Sequence, residues 1–252
     1  MKQAKGFALP IALVLVWQFG AMILGVHSDT LSAPSDILVA FFIGLADGSM
    51  LEATVRTLGA AGGGLMIGVV LGAVCGLLFG LLPPLSRLMN VTIEILRPIP
   101  AVAIVPIALL VFGFGYKMEI AIVAFACIFP ILILTENAIR QIAPRLLDVA
   151  RVLRLSTSQR VTKVVIPAVL PRIFVALRLG AGIALIVAVT VEIVANPMGL
   201  GYRLMLAGQS LRPADMFATL LWIGLIGWAL NYLLVEAEVR FFSATIVRKP
   251  AS

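Results

Sequence analysis

Four ionisable residues, Glu94, Arg97, Arg178 and Glu192, lie within or at the edge of long apolar runs, where a charge is costly unless it is paired or used. Glu94 and Arg97 are spaced i, i+3. On a helix they share a face, so they pair there or contact a solute on its way across. Arg178 lies less than two turns beyond Arg172 and is placed to snorkel to the nearer interface. Glu192 lines a vestibule or anchors the turn at Asn196–Pro197. Hydrolytic chemistry has no comparable residue set. The single histidine, His27, reads as a solvated turn residue, so neither an H-E-x-x-H metal site nor a serine–histidine pair can be built within the apolar runs. No lysine follows a G-x-x-x-x-G-K-[ST] pattern, so any ATP chemistry must come from another chain. No catalytic residue, metal ligand or cofactor of the chain's own is expected.

A second group lies in a polar, basic segment, 137–172, between two apolar runs. Leu146, Val149, Ala150 and Leu153 fall at i, i+3, i+4 and i+7, one apolar stripe of a short helix over 145–154. Arg145, Asp148 and Arg151 lie off the stripe, and Pro144 suits the first turn. Pro167 and Pro171 are expected to break the second half of the segment. From the residues alone, such a helix either rests on lipid headgroups or is gripped by a soluble partner.

The elements that position these residues follow from composition. The 252-residue chain is 62% hydrophobic and 12% charged, against about 45–50% apolar and about 25% charged in soluble domains. Its apolar runs are continuous and long enough for a bilayer, which predicts an all-α, polytopic membrane bundle in one domain over 1–252. Six spans are expected, at about 7–26, 58–82, 91–114, 119–136, 173–195 and 217–237. The first reads as a retained span rather than a cleaved signal peptide, since no A-x-A site precedes the polar turn His27–Asp29. Pro98, Pro100 and Pro106 interrupt the third span and Pro130 the fourth, so the third should face protein or a pathway. Gly64, Gly68, Gly72, Gly76 and Gly80 repeat every four residues, a stripe for close helix packing. Between the first two spans, Ser35 as an N-cap before Ile37, Leu38, Phe41 and Phe42 predicts an amphipathic helix along the outer interface. Cys75 and Cys127 lie in apolar runs and read as packing residues.

Charge sets the orientation. With both termini inside, thirteen basic residues fall in inner segments and four in outer ones, and seven of the thirteen lie in 137–172. The net charge of +7 therefore reports orientation toward membrane lipid, and no nucleic-acid partner is implied.

Asp148-Val149-Ala150-Arg151, followed by Ile166-Pro167 and Leu170-Pro171, resembles the EAA loop of binding-protein-dependent ABC importer permeases. Leu96-Arg97-Pro98-Ile99-Pro100 with Pro106 and Phe112-Gly113, and Gly199-Leu200-Gly201-Tyr202, are similar to stretches of the nitrate/sulfonate/taurine branch. The resemblance covers nearly the whole chain. It implies a type I importer permease fold in which the loop forms a coupling helix in the groove of a cytoplasmic ATPase. Arg145, Leu146, Asp148, Val149, Ala150, Arg151, Leu153, Arg154 and Pro167 would carry the coupling, with Glu94, Arg97, Pro98, Pro100, Arg178 and Glu192 on the translocation pathway. It further implies two ATPase subunits holding ATP and Mg2+, a second permease copy as a homodimer, a periplasmic or lipoprotein solute-binding protein, and the bacterial inner membrane. The chain departs from the pattern at Asp148 (Glu), Val149 (Ala) and Arg154 (Gly). Arginine in the left-handed turn that glycine permits costs on the order of 1 kcal/mol, so either the turn differs or the helix runs about one residue further. The expected solute is a small anion such as a sulfonate, taurine or nitrate, with a pyrimidine-type or other heterocycle as an alternative. An ion-coupled secondary transporter is the rival class, though the two halves of the chain show no convincing repeat.

Overall fold

The computed structural model describes residues 2–23 and 31–246, and its regular elements are all helical. His27 and the His27–Asp29 turn lie outside the described residues. Helix α1 runs Lys2–Ile23, α2 Pro34–Ala46 and α3 Ser49–Leu81. Then come α4 (Pro83–Leu96), a 3₁₀ turn (Ala101–Ile104), α5 (Val105–Phe112) and α6 (Tyr116–Arg140). The remainder is α7 (Pro144–Val152), α8 (Thr157–Arg160), a π turn (Val161–Val165), α9 (Ile166–Val194), α10 (Gly199–Gln209) and α11 (Pro213–Ile246).

The centre of the bundle is α6, packed along its length on α3 and α9. The glycine stripe makes this possible. A Cβ at Gly68 would come within 2.6 Å of Cys127 Cβ, and one at Gly76 within 2.6 Å of the Leu132 carbonyl. The backbones approach so closely that only hydrogen fits, which is the packing mode of apolar helices in lipid. Ala176, Ala184 and Ala188 of α9 complete a core with Val123, Cys127 and Ile131. Both cysteines are free thiols.

At one end α10 caps the bundle, and at the other α7 projects. The turn into α3 illustrates how local chemistry sets a boundary. Gly48 adopts φ +78, and the Asp47 carboxylate accepts from Ser49 N at 2.8 Å and from Ser49 Oγ at 2.6 Å. Those two Ser49 donors, the hydroxyl first, hold the Asp47 carboxyl below the usual carboxylate range. Helix α3 therefore starts at Ser49, nine residues before the expected span. Ser35 is not the N-cap of α2. Ala33 holds that position without a side-chain bond, Pro34 opens the helix, and Ser35 N donates to Gln18 Oε1 at 3.0 Å instead. Helix α2 lies against α3 and α11 through Ile37, Phe41, Met50 and Ala218.

Four helices are long and apolar enough to cross a membrane: α3, α6, the continuous stretch Thr157–Val194, and α11. The expected third span is broken. Helix α4 and the 101–112 segment meet at 86°, because Pro98 and Pro100 remove two backbone donors within one turn. Their neighbours show that the pair still runs from one end to the other. Ser86 of α4 bonds Glu136 and Arg140 near the α7 end of α6, whereas Val105 and Ala108 pack on Met118 and Ile122 near its α10 end. Counting the pair as one span gives five. The described apolar part of α1, Ala12–Ile23, is shorter than a crossing, so the expected count of six is not reached on these residues.

The prolines expected to break the 137–172 segment do not. Pro167 falls at the first turn of α9 and Pro171 inside it. The π turn at Val161–Val165 widens the backbone just where the Pro167 ring would crowd the Lys163 carbonyl.

Candidate functional site

The α7 end presents a helix with two unlike faces. Ala150 is buried, 2% exposed, and seats α7 on the chain. Leu146, Val149, Val152 and Leu153 are 47%, 55%, 81% and 64% exposed. The predicted stripe is thus split: one alanine faces inward and the larger residues have no cover in the chain. Val152 belongs to the exposed face and was missed, because a strict i, i+3, i+4, i+7 pattern skips it. Among the flanking charges, Asp148 and Arg151 pair with each other at 3.0 Å on the surface.

Neither alternative anticipated for Arg154 occurs. The helix stops at Val152, and Arg154 itself takes the left-handed conformation, φ +50. Leu155 N donates to the Ala150 carbonyl at 3.1 Å and Arg154 N to the Arg151 carbonyl at 2.9 Å. This is the paired 6→1 and 5→2 closure of a Schellman turn, made with arginine where glycine is cheaper. Two residues on, Ser156 Oγ accepts from Gln159 N at 3.3 Å while Ser156 N donates to Gln159 Oε1 at 3.1 Å. That capping box opens the stretch running through Pro167 into α9. Of the residues expected to carry coupling, Arg145, Leu146, Asp148, Val149, Ala150 and Arg151 sit on a short helix, Leu153 and Arg154 in the turn that closes it, and Pro167 at the start of α9, with two hydrogen-bonded turns between the helix and the span.

Between α4 and α6, at the same end, is a polar cavity of about 280 Å³ lined in part by Asn90, Glu94, Arg97, Glu136 and Arg140. Glu94 and Arg97 do not form the expected pair. Glu94 accepts from Asn90 Nδ2 at 2.9 Å, and Arg97 closes α4 as its C-cap. The pair the structure does show is Glu136–Arg140 at 2.6 Å, bridged by Ser86. Pro98 and Pro100 form the break beside it. Arg178 does not snorkel freely: it bonds Glu238 of α11 at 3.1 Å.

At the α10 end, Glu192 is 1% exposed. Its carboxylate accepts from Thr57 Oγ1 of α3 and from Gly201 N of α10, each at 2.7 Å. Leu200 N donates to Thr57 Oγ1 at 2.9 Å, and Asn196 Nδ2 donates to Glu119 Oε2 at 2.6 Å. Glu192 therefore anchors the turn after α9. The glycines of the Gly199-Leu200-Gly201 stretch are explained by the close approach of α10 to the end of α9. Gly199 has φ +90 and its Cβ would strike the Glu192 carboxyl, while a Cβ on Gly201 would strike the Val189 carbonyl first and then press on Glu192 Cβ at 2.8 Å. Glu119 and Thr57 were not singled out in the sequence. Glu119 carried a usable signal, a carboxylate opening an otherwise apolar run. An open depression of about 450 Å³ lies over this network, bordered by Phe114, Tyr202 and Met205.

With this geometry in place, similarity to known proteins is informative. Residues 68–240 match the model of the family described as binding-protein-dependent transport system inner membrane component. The chain is 30% identical over 252 residues to the putative aliphatic sulfonates transport permease protein SsuC of Bacillus subtilis, covering 97% of this chain and 87% of that one. It is 32% identical to the bicarbonate transport system permease protein CmpB of Synechococcus elongatus, covering 80% and 71%. The fold is similar to a chain of the inward-facing MetNI methionine ABC transporter, with a TM-score of 0.67 at 23% identity over 77% of this chain and 95% of that one. The chain belongs to the family of binding-protein-dependent transport system inner membrane components, and it is a multi-pass permease of the ABC importer class.

Proposed function

We propose that the chain forms the membrane pathway of an ATP-driven importer for a small sulfonate-like anion, with two copies pairing around it. Two cytoplasmic ATPase subunits hold ATP and Mg2+, and an external solute-binding protein delivers the solute. The α7 end faces the cytoplasm with both termini, in the bacterial inner membrane, as the distribution of basic residues supports. The observation that carries this reading is the uncovered apolar face of Leu146, Val149, Val152 and Leu153 on a helix whose Ala150 is seated in its own chain. A helix merely resting on headgroups needs no rigid connection. This one continues through a Schellman turn and a capping box into α9. Force applied to α7 reaches Glu192, at the far end of α9, and through it α10 and α3. The exposed apolar face of α5, with Leu110 at 88%, suits a second copy or lipid. The anion class is supported by relatives whose names specify aliphatic sulfonates and bicarbonate.

The test is uptake of a radiolabelled alkanesulfonate into cells co-expressing the permease, ATPase and binding protein. Uptake should vanish when the ATPase carries an inactive nucleotide site and should survive collapse of the proton gradient. The reverse pattern would make the chain a secondary transporter.

A further inference from the structure

At the α10 end, two buried carboxyl groups have no positive charge to balance them. Glu119 of α6 and Glu192 of α9 are each 1% exposed, and their carboxyl groups stand within hydrogen-bonding reach of each other. Ionised, they place two negative charges in a dry junction of α3, α6, α9 and α10, where uncompensated charge is strongly unfavourable. Among the described residues no basic side chain pairs with either. Arg56 of α3 is turned to Glu52 and Met198, and Arg203 of α10 to Ser49 and Thr219. Lys117 is exposed and stands two positions before Glu119, off its helix face. Two oxygens in the junction also lack donors. Glu119 Oε1 and Asn196 Oδ1 are buried and accept no hydrogen bond among the described residues. Asn196 is 3% exposed, and its Nδ2 donates to the other Glu119 oxygen at 2.6 Å, so its amide oxygen lies beside the same carboxyl group. Turning that amide over sets oxygen against oxygen. A proton between the carboxyl groups gives Glu119 Oε1 a bond but leaves Asn196 Oδ1 without one.

We propose that these oxygens form a site for a hard divalent cation of the calcium type, held by Glu119, Asn196 and Glu192. One ion balances both carboxylates and satisfies both orphan oxygens at once. The set is all oxygen, which selects hard cations over metals that seek sulfur or imidazole. Glu192 keeps its hydrogen bonds from Thr57 Oγ1 and Gly201 N, because each carboxylate oxygen has a second lone pair. Those donors orient it toward the ion, as outer partners orient metal ligands. Three side chains fall short of the roughly six to eight ligands that calcium takes. Water supplies the rest through the depression of about 450 Å³, whose lining includes Glu192 and Asn196. Magnesium demands stricter octahedral geometry and dehydrates reluctantly, so it suits this set less well. The bound ion clips the Asn196 turn to the first turn of α6, beside the ties that Glu192 already makes to α3 and α10. The site is independent of which solute the permease carries. It rests on the importer reading only for its position on the outer face, from which the ion enters.

The experiment is equilibrium dialysis of radiolabelled calcium against the purified, nucleotide-free permease–ATPase complex in excess magnesium. The wild-type complex should hold a single calcium per permease chain, and calcium should raise a thermal unfolding midpoint that a chelator lowers. Glu119→Gln keeps an acceptor for Asn196 Nδ2 but removes one charged ligand, so it should weaken calcium binding about tenfold or more. Glu52→Gln, which alters an exposed carboxylate at the same end, should bind calcium as wild type does. No saturable calcium binding by wild type, or equal binding by Glu119→Gln, would overturn the proposal. So would a wild-type midpoint that follows pH and ignores calcium, which would leave two carboxyl groups sharing a proton. The wild-type isotherm and midpoint decide the matter even where Glu119→Gln fails to fold. The importer reading fails separately: a complex that imports solute with ATP but binds no calcium refutes the cation site alone, whereas one that binds calcium and couples ATP to no uptake refutes the importer assignment.

Discussion

Arg154 carries the sharpest residue-scale consequence. Its φ of +50 places a Cβ-bearing residue where only glycine is comfortable, at a cost of roughly 1–2 kcal/mol. The turn is nevertheless closed by both Schellman hydrogen bonds, so packing and the following capping box impose the conformation on the arginine. Arg154→Gly removes the strain but adds backbone freedom to the unfolded chain. The net expectation is a gain of roughly 0.5–1 kcal/mol, read as a higher midpoint of thermal unfolding in detergent, with the α7 geometry unchanged. A lower midpoint would mean that the guanidinium makes a contact whose loss outweighs the relieved strain. Leu211, at φ +53, closes the α10 turn by the same pair of bonds, Leu211 N to Gly208 O and Arg212 N to Ala207 O. The short helices α7 and α10 therefore both end in a strained non-glycine turn.

At the scale of elements, the α3–α6 seam is where sequence and structure agree most closely. A period of four in glycine specifies a smooth stripe whatever the helix packs against, and the partner stripe on α6 meets it at matching intervals. Gly76→Ala would put a methyl 2.6 Å from the Leu132 carbonyl and 2.7 Å from Thr135 Cβ. It should cost about 1–3 kcal/mol by overpacking. Gly62→Ala meets nothing within 4 Å and should be neutral or slightly stabilising, since alanine is the better helix former. Equal effects of the two substitutions on unfolding would mean that the seam tolerates separation. Other elements were less legible for identifiable reasons. Pro98 and Pro100 announced an interruption, but hydropathy reports only that a segment is apolar, so a run that turns through 86° reads like a straight span. Ser35 had the right type for a cap and lost that role because Gln18, seventeen residues away, binds it first. Glu94 and Arg97 had the right spacing to pair, but Asn90 lies one turn back and takes the carboxylate. The competitor for Ser35 comes from a distant helix and that for Glu94 from one turn away on its own, neither of which a pairwise spacing rule weighs, whereas the glycine stripe is periodic within a single helix.

At the scale of the molecule, the proposed coupling casts α9 as a lever with a different fixture at each end. It is a helix of 29 residues, about 43 Å at 1.5 Å per residue. One end continues into α7, while the other holds α10 and α3 through Glu192, Thr57 and Gly201. The alanines between them, Ala176, Ala184 and Ala188, run over α3 and α6 with little side-chain relief, which favours rigid tilting over bending. Such a lever needs a firm grip only at α7, and the grip on offer is apolar. Leu146→Asp with Leu153→Asp places two carboxylates on that face while leaving Ala150 and the Ala150–Leu155 closure intact. The double variant should insert and unfold like wild type, because both side chains are already about half exposed or more. It should nonetheless fail to retain the ATPase through purification, and ATP-dependent uptake should be abolished. Arg145→Gln with Arg151→Gln alters only the charges off the stripe and should retain the ATPase, with its salt sensitivity reduced. If the aspartate pair co-purifies undiminished while the glutamine pair releases the ATPase, the connection is electrostatic, and the exposed leucines would then belong to the lipid surface.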